Sequence, residues 1–171
     1  MNLSELKENV LKLLNVDIDH LKDAVMDTVT NNKYDVYDGF LSLTDNNLSV
    51  DYLQQIYQYY YADREVKKQD YTPKTLADFT CRLIGEADIV VDMCAGSGAL
   101  TIQRWNRNHN QKFRLYELDE NVIPFLLFNL AIRNIDASVV RGDVLRDEVY
   151  EQWKITKGDK YGHISYIESA I

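Results

Sequence analysis

Three carboxylates stand where a short apolar run gives way to a turn. Asp92 closes the run Asp88–Met93 (DIVVDM), and the small-residue loop Cys94-Ala95-Gly96-Ser97-Gly98 follows directly. Glu117 lies near the end of Phe113–Leu118 (FRLYEL), and Asp143 follows Ala137–Arg141 (ASVVR). Two glycines after a strand let the backbone turn sharply and meet a ligand with no side chain between. The helix that starts next offers unpaired N–H groups. Thr101 stands where a dinucleotide fingerprint has its third glycine, so the loop favours a nucleoside ligand over a pyrophosphate and argues against a dehydrogenase.

Each acid has its own chemistry to offer. Asp92, beside the glycines, suits an ammonium group. Glu117 falls 19 residues after Gly98, near the ~20-residue offset at which an acid meets ribose hydroxyls. Asp143 can accept from an adenine amino group. Alone, each reads as a solvated loop acid; at three successive strand ends of a parallel sheet they converge on one crevice.

The elements that must position them follow from periodicity. Strand and helix alternate from residue 88 onward, which predicts an α/β fold with a mostly parallel sheet and helices on its faces. Helices are expected at about Thr72–Ile84, after the glycine loop to about Asn108, at Glu120–Arg133 and at Val144–Trp153, with a fourth strand at His163–Ile167. Residues 1–68 read as a separate helical region. Asn2 with Glu5 resembles a capping box, and Leu3, Leu6, Val10, Leu13 and Leu14 mark one helix face. A second helix is expected at about 19–30, with Leu21, Val25 and Val29 inward. The polar stretch TNNKYDVYDGFLSLTDNN predicts an irregular link, and Ser49 a further helix start, with Leu53, Ile56, Tyr57 and Tyr60 recurring. The YQYYY run within it is read as tyrosines shielding a helix face.

Charge and composition exclude several classes. The net charge is −8, of which residues 1–68 carry −5 and residues 69–171 carry −3, so neither part is a basic surface for nucleic acid. Cys81, Cys94 and the dispersed His20, His109 and His163 match neither a disulfide framework nor a metal-ligand spacing. The start MNLSELKENV is a charged helical pattern rather than a signal peptide, and no apolar run approaches the ~18 residues of a membrane span. A cytoplasmic setting is the expectation.

The residues from about Lys67 to Val144 resemble the class I S-adenosylmethionine-dependent methyltransferases, and among them the adenine-specific modification subunit of type I restriction systems. Gln69-Asp70-Tyr71-Thr72-Pro73 resembles the family's Gln-x-Tyr-Thr-Pro segment, and Asp92-Met93-Cys94-Ala95-Gly96-Ser97-Gly98 its Asp-x-x-x-Gly-Ser-Gly loop. Tyr116-Glu117-Leu118-Asp119 is similar to the strand end that holds the ribose. Phe128-Asn129-Leu130-Ala131 is similar to the helix after it, and Gly142-Asp143-Val144-Leu145 to the border of the adenine ring. The resemblance implies a Rossmann-like fold and S-adenosyl-L-methionine as cofactor. It implies contacts from Tyr71, Thr72 and Pro73 to the methionine part, and further contacts from Asp92, Cys94, Ala95, Gly96, Ser97, Gly98, Glu117, Leu118, Asp143 and Val144. The division expected is a helical region at 1–68 and a cofactor-binding domain at 69–171.

One family motif is missing. The fourth strand should end in Asn/Asp-Pro-Pro-Tyr/Phe, whose polar groups and ring hold the flipped adenine. The only prolines are Pro73 and Pro124, and the expected place reads Tyr161–Ile171 without a proline. No catalytic residue is therefore assigned, and the later strands and target-recognition region of the family do not follow, as in a truncated family member. Two readings stand: a methyltransferase acting on adenine in DNA, in the company of a partner protein subunit, or a catalytically inert cofactor-binding module acting through such a partner.

Overall fold

The structure, a computed structural model, describes residues 2–60, 72 and 74–168. Four helices come first: α1 (Leu3–Leu14), α2 (Leu21–Thr30), α3 (Tyr34–Leu43) and α4 (Tyr52–Tyr60). Then α5 (Lys74–Leu83), β1 (Ile89–Asp92), α6 (Ala99–Arg107), β2 (Lys112–Glu117), α7 (Ile123–Ile132) and β3 (Ala137–Asp143) alternate, and β4 (Glu148–Thr156) and β5 (His163–Tyr166) close the chain. The five strands lie in chain order in one sheet. β1, β2 and β3 run parallel, whereas β4 and β5 are added antiparallel to their neighbours. This is a mixed α/β fold whose sheet is parallel over its first three strands.

The element that organises the rest is α7. Its sequence IPFLLFNLAI is apolar all round, and all ten of its residues are buried, as expected of a helix enclosed on every side. One side faces the sheet, where Phe113, Leu115, Ala137, Val139, Trp153, Ile155 and Ile164 form a common core with it. The other side is covered by the N-terminal helices. Phe128 meets Tyr37 and Phe40 edge-on at 5.0 and 5.1 Å between ring centres, and Phe125 lies 5.0 Å from Tyr57. Sheet, α7 and the N-terminal helices thus share one hydrophobic core.

Several expectations held. Asn2 caps α1 by accepting the Glu5 N–H at 2.9 Å, and Leu21, Val25 and Val29 are buried on α2. Three did not. The stretch taken as an irregular link contains α3, whose Tyr37, Phe40 and Leu41 are buried. Turn-forming residues on both flanks mask its periodicity. Gly39 marks the reason for its packing, since a Cβ there would meet Leu13 Cδ1 at 2.4 Å. α4 is capped by Asp51, not Ser49: the Asp51 carboxylate accepts the Gln54 N–H at 2.9 Å.

The third correction concerns residues 144–153, which form not a helix but a turn at 144–147 and the first part of strand β4. Asp143 Oδ1 accepts the N–H groups of Leu145 and Arg146, and Asp147 takes a left-handed backbone at φ 56°. Together these reverse the chain, so β3 and β4 become a hairpin rather than a crossover. Tyr150 is the extra residue in β4, because Arg141 pairs Glu151 while Gly142 pairs Val149. The expected fourth parallel strand is therefore β5, paired antiparallel to β4 at the edge opposite β1. The boundary expected between residues 68 and 69 lies outside the described residues.

Candidate functional site

Parallel pairing brings the ends of β1, β2 and β3 to one edge of the sheet, with the residues singled out there. Asp92 pairs Leu115, two residues before Glu117; Glu117 pairs Arg141, two residues before Asp143. Because side chains alternate with a period of two, this register sets Asp92, Glu117 and Asp143 on the same face.

The glycine loop is tied to this edge mainly through Glu117. Gly96 donates its N–H to Glu117 Oε2 at 2.8 Å, and Leu118 and Asp119 donate theirs to Oε1 at 2.9 and 2.8 Å. Ala95 continues the ladder, donating to the Tyr116 carbonyl at 2.9 Å. A carboxylate accepts about four hydrogen bonds, so Glu117, half-buried, retains room for one hydroxyl beside its three amides.

Both loop glycines have left-handed backbones, at φ 55° for Gly96 and 99° for Gly98. Their surroundings differ. A Cβ on Gly98 would press on Leu126 Cδ1 at 3.2 Å, so this glycine allows the loop to close against α7. A Cβ on Gly96 would meet nothing within 4 Å. The Gly96 backbone therefore faces open space, and its N–H and the start of α6 lie beside that space. No side chain caps α6.

Asp92 is half-buried, accepts one hydrogen bond, from the Cys94 N–H at 3.1 Å, and has no cationic partner among the described residues. Burial pushes its carboxyl above the usual aspartate range, with the Cys94 N–H pulling the other way. A carboxylate held this way is improved by a positive group brought to it. Asp143 is used differently. Its Oδ1 takes the two turn amides, and its Oδ2 lies 3.5 Å from Arg146 Nε. Leu118 and Val144 expose apolar surface at the same edge, and Cys94 is exposed. Ala95 and Ser97 are buried within the loop. Thr72 is half-buried, while Tyr71 and Pro73 lie outside the described residues.

Ser165 and Tyr166 of β5, and Glu168 just after it, are polar residues where the missing family motif is expected. β5 is four strands from β1, roughly 19 Å away at ~4.8 Å per strand. Ser165 donates to the Lys154 carbonyl, and Tyr166 stacks edge-on against Trp153.

Reasoning from sequence overlooked what lies behind the loop. The Asn129 carboxamide of α7 donates to the Ser97 carbonyl at 2.9 Å, and Arg133 and Asp51 adjoin it. The pattern Asp51-x-x-Gln54 before an apolar helix is the signal that could have located Asp51.

A glycine loop set on a parallel strand, with acids at the following strand ends, is the architecture of a methyltransferase-like α/β fold. The family model of the N-6 DNA methylases matches residues 48–161, more than half of the chain, and the protein belongs to that family. No curated protein matches the sequence. The described residues contain no helix long and apolar enough to cross a membrane, and no cluster of three or more His, Cys, Asp or Glu able to hold a metal ion.

Proposed function

We propose that this protein binds S-adenosyl-L-methionine across the ends of β1, β2 and β3 and acts in methylation of the adenine exocyclic amino group in DNA. The observation that carries the reading is Asp92: a half-buried carboxylate without a cation among the described residues, near a glycine whose Cα faces open space. The groups present suit this cofactor. Asp92 would take its ammonium, and Glu117 one ribose hydroxyl, or two if the Gly96 amide gives way. The apolar surfaces of Leu118 and Val144 would flank the adenine ring, with Asp143 at its amino edge. Cys94, Ala95, Gly96, Ser97 and Gly98 would line the nucleoside, and Tyr71, Thr72 and Pro73 the methionine part. When bound, the cofactor supplies a methyl group on a positively charged sulfur. The residues of this chain hold and aim it, a task in which geometry alone carries much of the rate.

The acceptor side is not built from the residues at hand. No Pro-Pro pair exists in the sequence, and β5 stands at the far edge of the sheet. This favours a second reading, in which the protein is an inert cofactor-binding module that works through a partner subunit. A net charge of −8 points the same way, because phosphate contacts dominate DNA affinity. The kinship suggested with type I modification subunits, a Rossmann-like domain from residue 69 and a cytoplasmic restriction-modification role belong to this proposal.

Calorimetric titration with S-adenosyl-L-methionine tests both readings, and absence of heat sinks both. Methyl transfer from labelled cofactor to unmethylated DNA, with and without candidate partner subunits, separates them: incorporation supports the enzyme, binding without incorporation the inert module.

A further inference from the structure

Behind the glycine loop lies a buried polar cluster with no part in the fold's apolar logic. Arg133, at the end of α7, is buried and fully engaged. It donates from Nε to the Leu48 carbonyl and from Nη2 to the Val50 carbonyl, both at 2.9 Å. Its Nη1 donates to the carbonyl and to Oδ1 of Asn129, at 3.0 and 2.8 Å. Asn129 in turn donates to the Ser97 carbonyl. The planar guanidinium therefore spans two segments distant in sequence, gripping residues 48–50 with one side and the loop's anchor with the other.

Asp51 completes the circuit. One oxygen caps α4, while Asn129, Ser97 and Arg133 lie around the carboxyl group. Its second oxygen and the Ser97 hydroxyl are both buried without an aligned hydrogen bond. From the opposite side, Gln103 of α6 donates to the Ser49 carbonyl at 3.2 Å. The segment 48–51 is thus strapped to both helices that flank the loop. Loss of one partner in such a cluster leaves the others desolvated and unpaired.

We infer that Asp51, Asn129 and Arg133 are positioning residues that hold the Gly96–Gly98 loop in its ligand-ready shape and couple it to the segment that starts α4. None of the three needs to touch ligand. Glu117 fixes the loop from the front through the Gly96 amide, and this cluster fixes it from behind through Ser97. The inference rests on the cofactor reading only for its affinity arm.

The test uses the full chain and two variants. Asp51→Asn retains a good helix cap but removes the charge facing Arg133 and Ser97; Asn129→Ala removes the carboxamide that donates to the Ser97 carbonyl. Amide hydrogen exchange of residues 95–99, read against the core amides of α2 as internal reference, needs no cofactor. We expect exchange in the loop to accelerate about tenfold in Asp51→Asn and in Asn129→Ala, with α2 unchanged. Calorimetry should then show cofactor affinity weakened by similar factors. Unchanged loop exchange in both variants, or acceleration spread evenly over α2 as well, overturns the inference. Should Asp51→Asn not fold, the Asn129→Ala comparison decides alone. If the unaltered protein binds no cofactor while the loop still loosens selectively, the cofactor reading fails and the positioning role stands.

Discussion

The two halves of the sheet are made to different rules. The hairpin half, β4 and β5, is stitched to the body at nearly every turn. The Asn32 side chain donates to the Ile164 carbonyl and accepts the Ile164 N–H, at 3.1 and 2.8 Å, which occupies the outer rim of β5. Asn134 does the same for Gly158 in the connecting loop, and Gly162 donates to the Ala131 carbonyl. The Tyr161 hydroxyl reaches Asp38. The parallel half is left open by contrast. Ile89, Val91 and Met93 of β1 and its loop are about half exposed, α6 starts without a side-chain cap, and Asp92 has no cation among the described residues. Groups whose needs are met within the chain stabilise it; groups whose needs are unmet at one edge are where a ligand gains most.

That contrast can be broken or sharpened by substitution. The largest effect is expected in the hairpin. Trp153→Ala, in the core beneath β4, should cost about 3–5 kcal/mol of stability in urea unfolding, with cofactor affinity unchanged in the folded protein. A comparable loss of affinity would show the halves to be coupled. Glu117→Ala should do the reverse. It removes the acceptor of three amides and, on the proposed reading, of a ribose hydroxyl, and binding should weaken by about 2 kcal/mol, some thirtyfold by calorimetry.

Asp92 predicts a pH dependence of intermediate size. Its pKa is raised in the folded protein, so its contribution to stability is greatest at low pH and is lost as pH rises through its folded pKa. Binding of a cation runs the other way, because it needs the ionised form. Affinity should therefore fall as pH drops through the raised pKa of Asp92, by at most about tenfold per pH unit, and Asp92→Asn should abolish the slope. The smallest effect is at the β5 rim. Asn32→Ala should lower stability by about 1 kcal/mol and leave cofactor affinity untouched.

The legibility of the sequence followed the same division. β1, β2 and β3 were visible because short β-branched and apolar runs bounded by turn residues, as in DIVVDM and ASVVR, read as strands. The three acids could be placed because parallel strands end together. β4 was misread because Leu145, Val149 and Trp153 recur every four residues, a helical spacing, while the inward pair Trp153 and Ile155 is too short a stretch of alternation to oppose it. What reversed the chain was the Asp143 turn, a local side-chain-to-backbone contact that periodicity does not register. α3 was hidden by Asn-rich flanks and by Gly39, a glycine present for close helix contact rather than for a turn. The cluster of Asp51, Asn129 and Arg133 joins positions 82 residues apart at its extremes, and no spacing rule reaches that far.

Strand order that copies chain order has a consequence for how this molecule assembles. No strand must be threaded between two already paired, and each new ladder forms beside the one completed just before it. Each ladder then closes through α6, α7 or a tight reversal, which keeps the sequence separation between paired strands small. Among the described residues β1 keeps one rim unpaired, so a further strand can be added there without undoing any pairing already made.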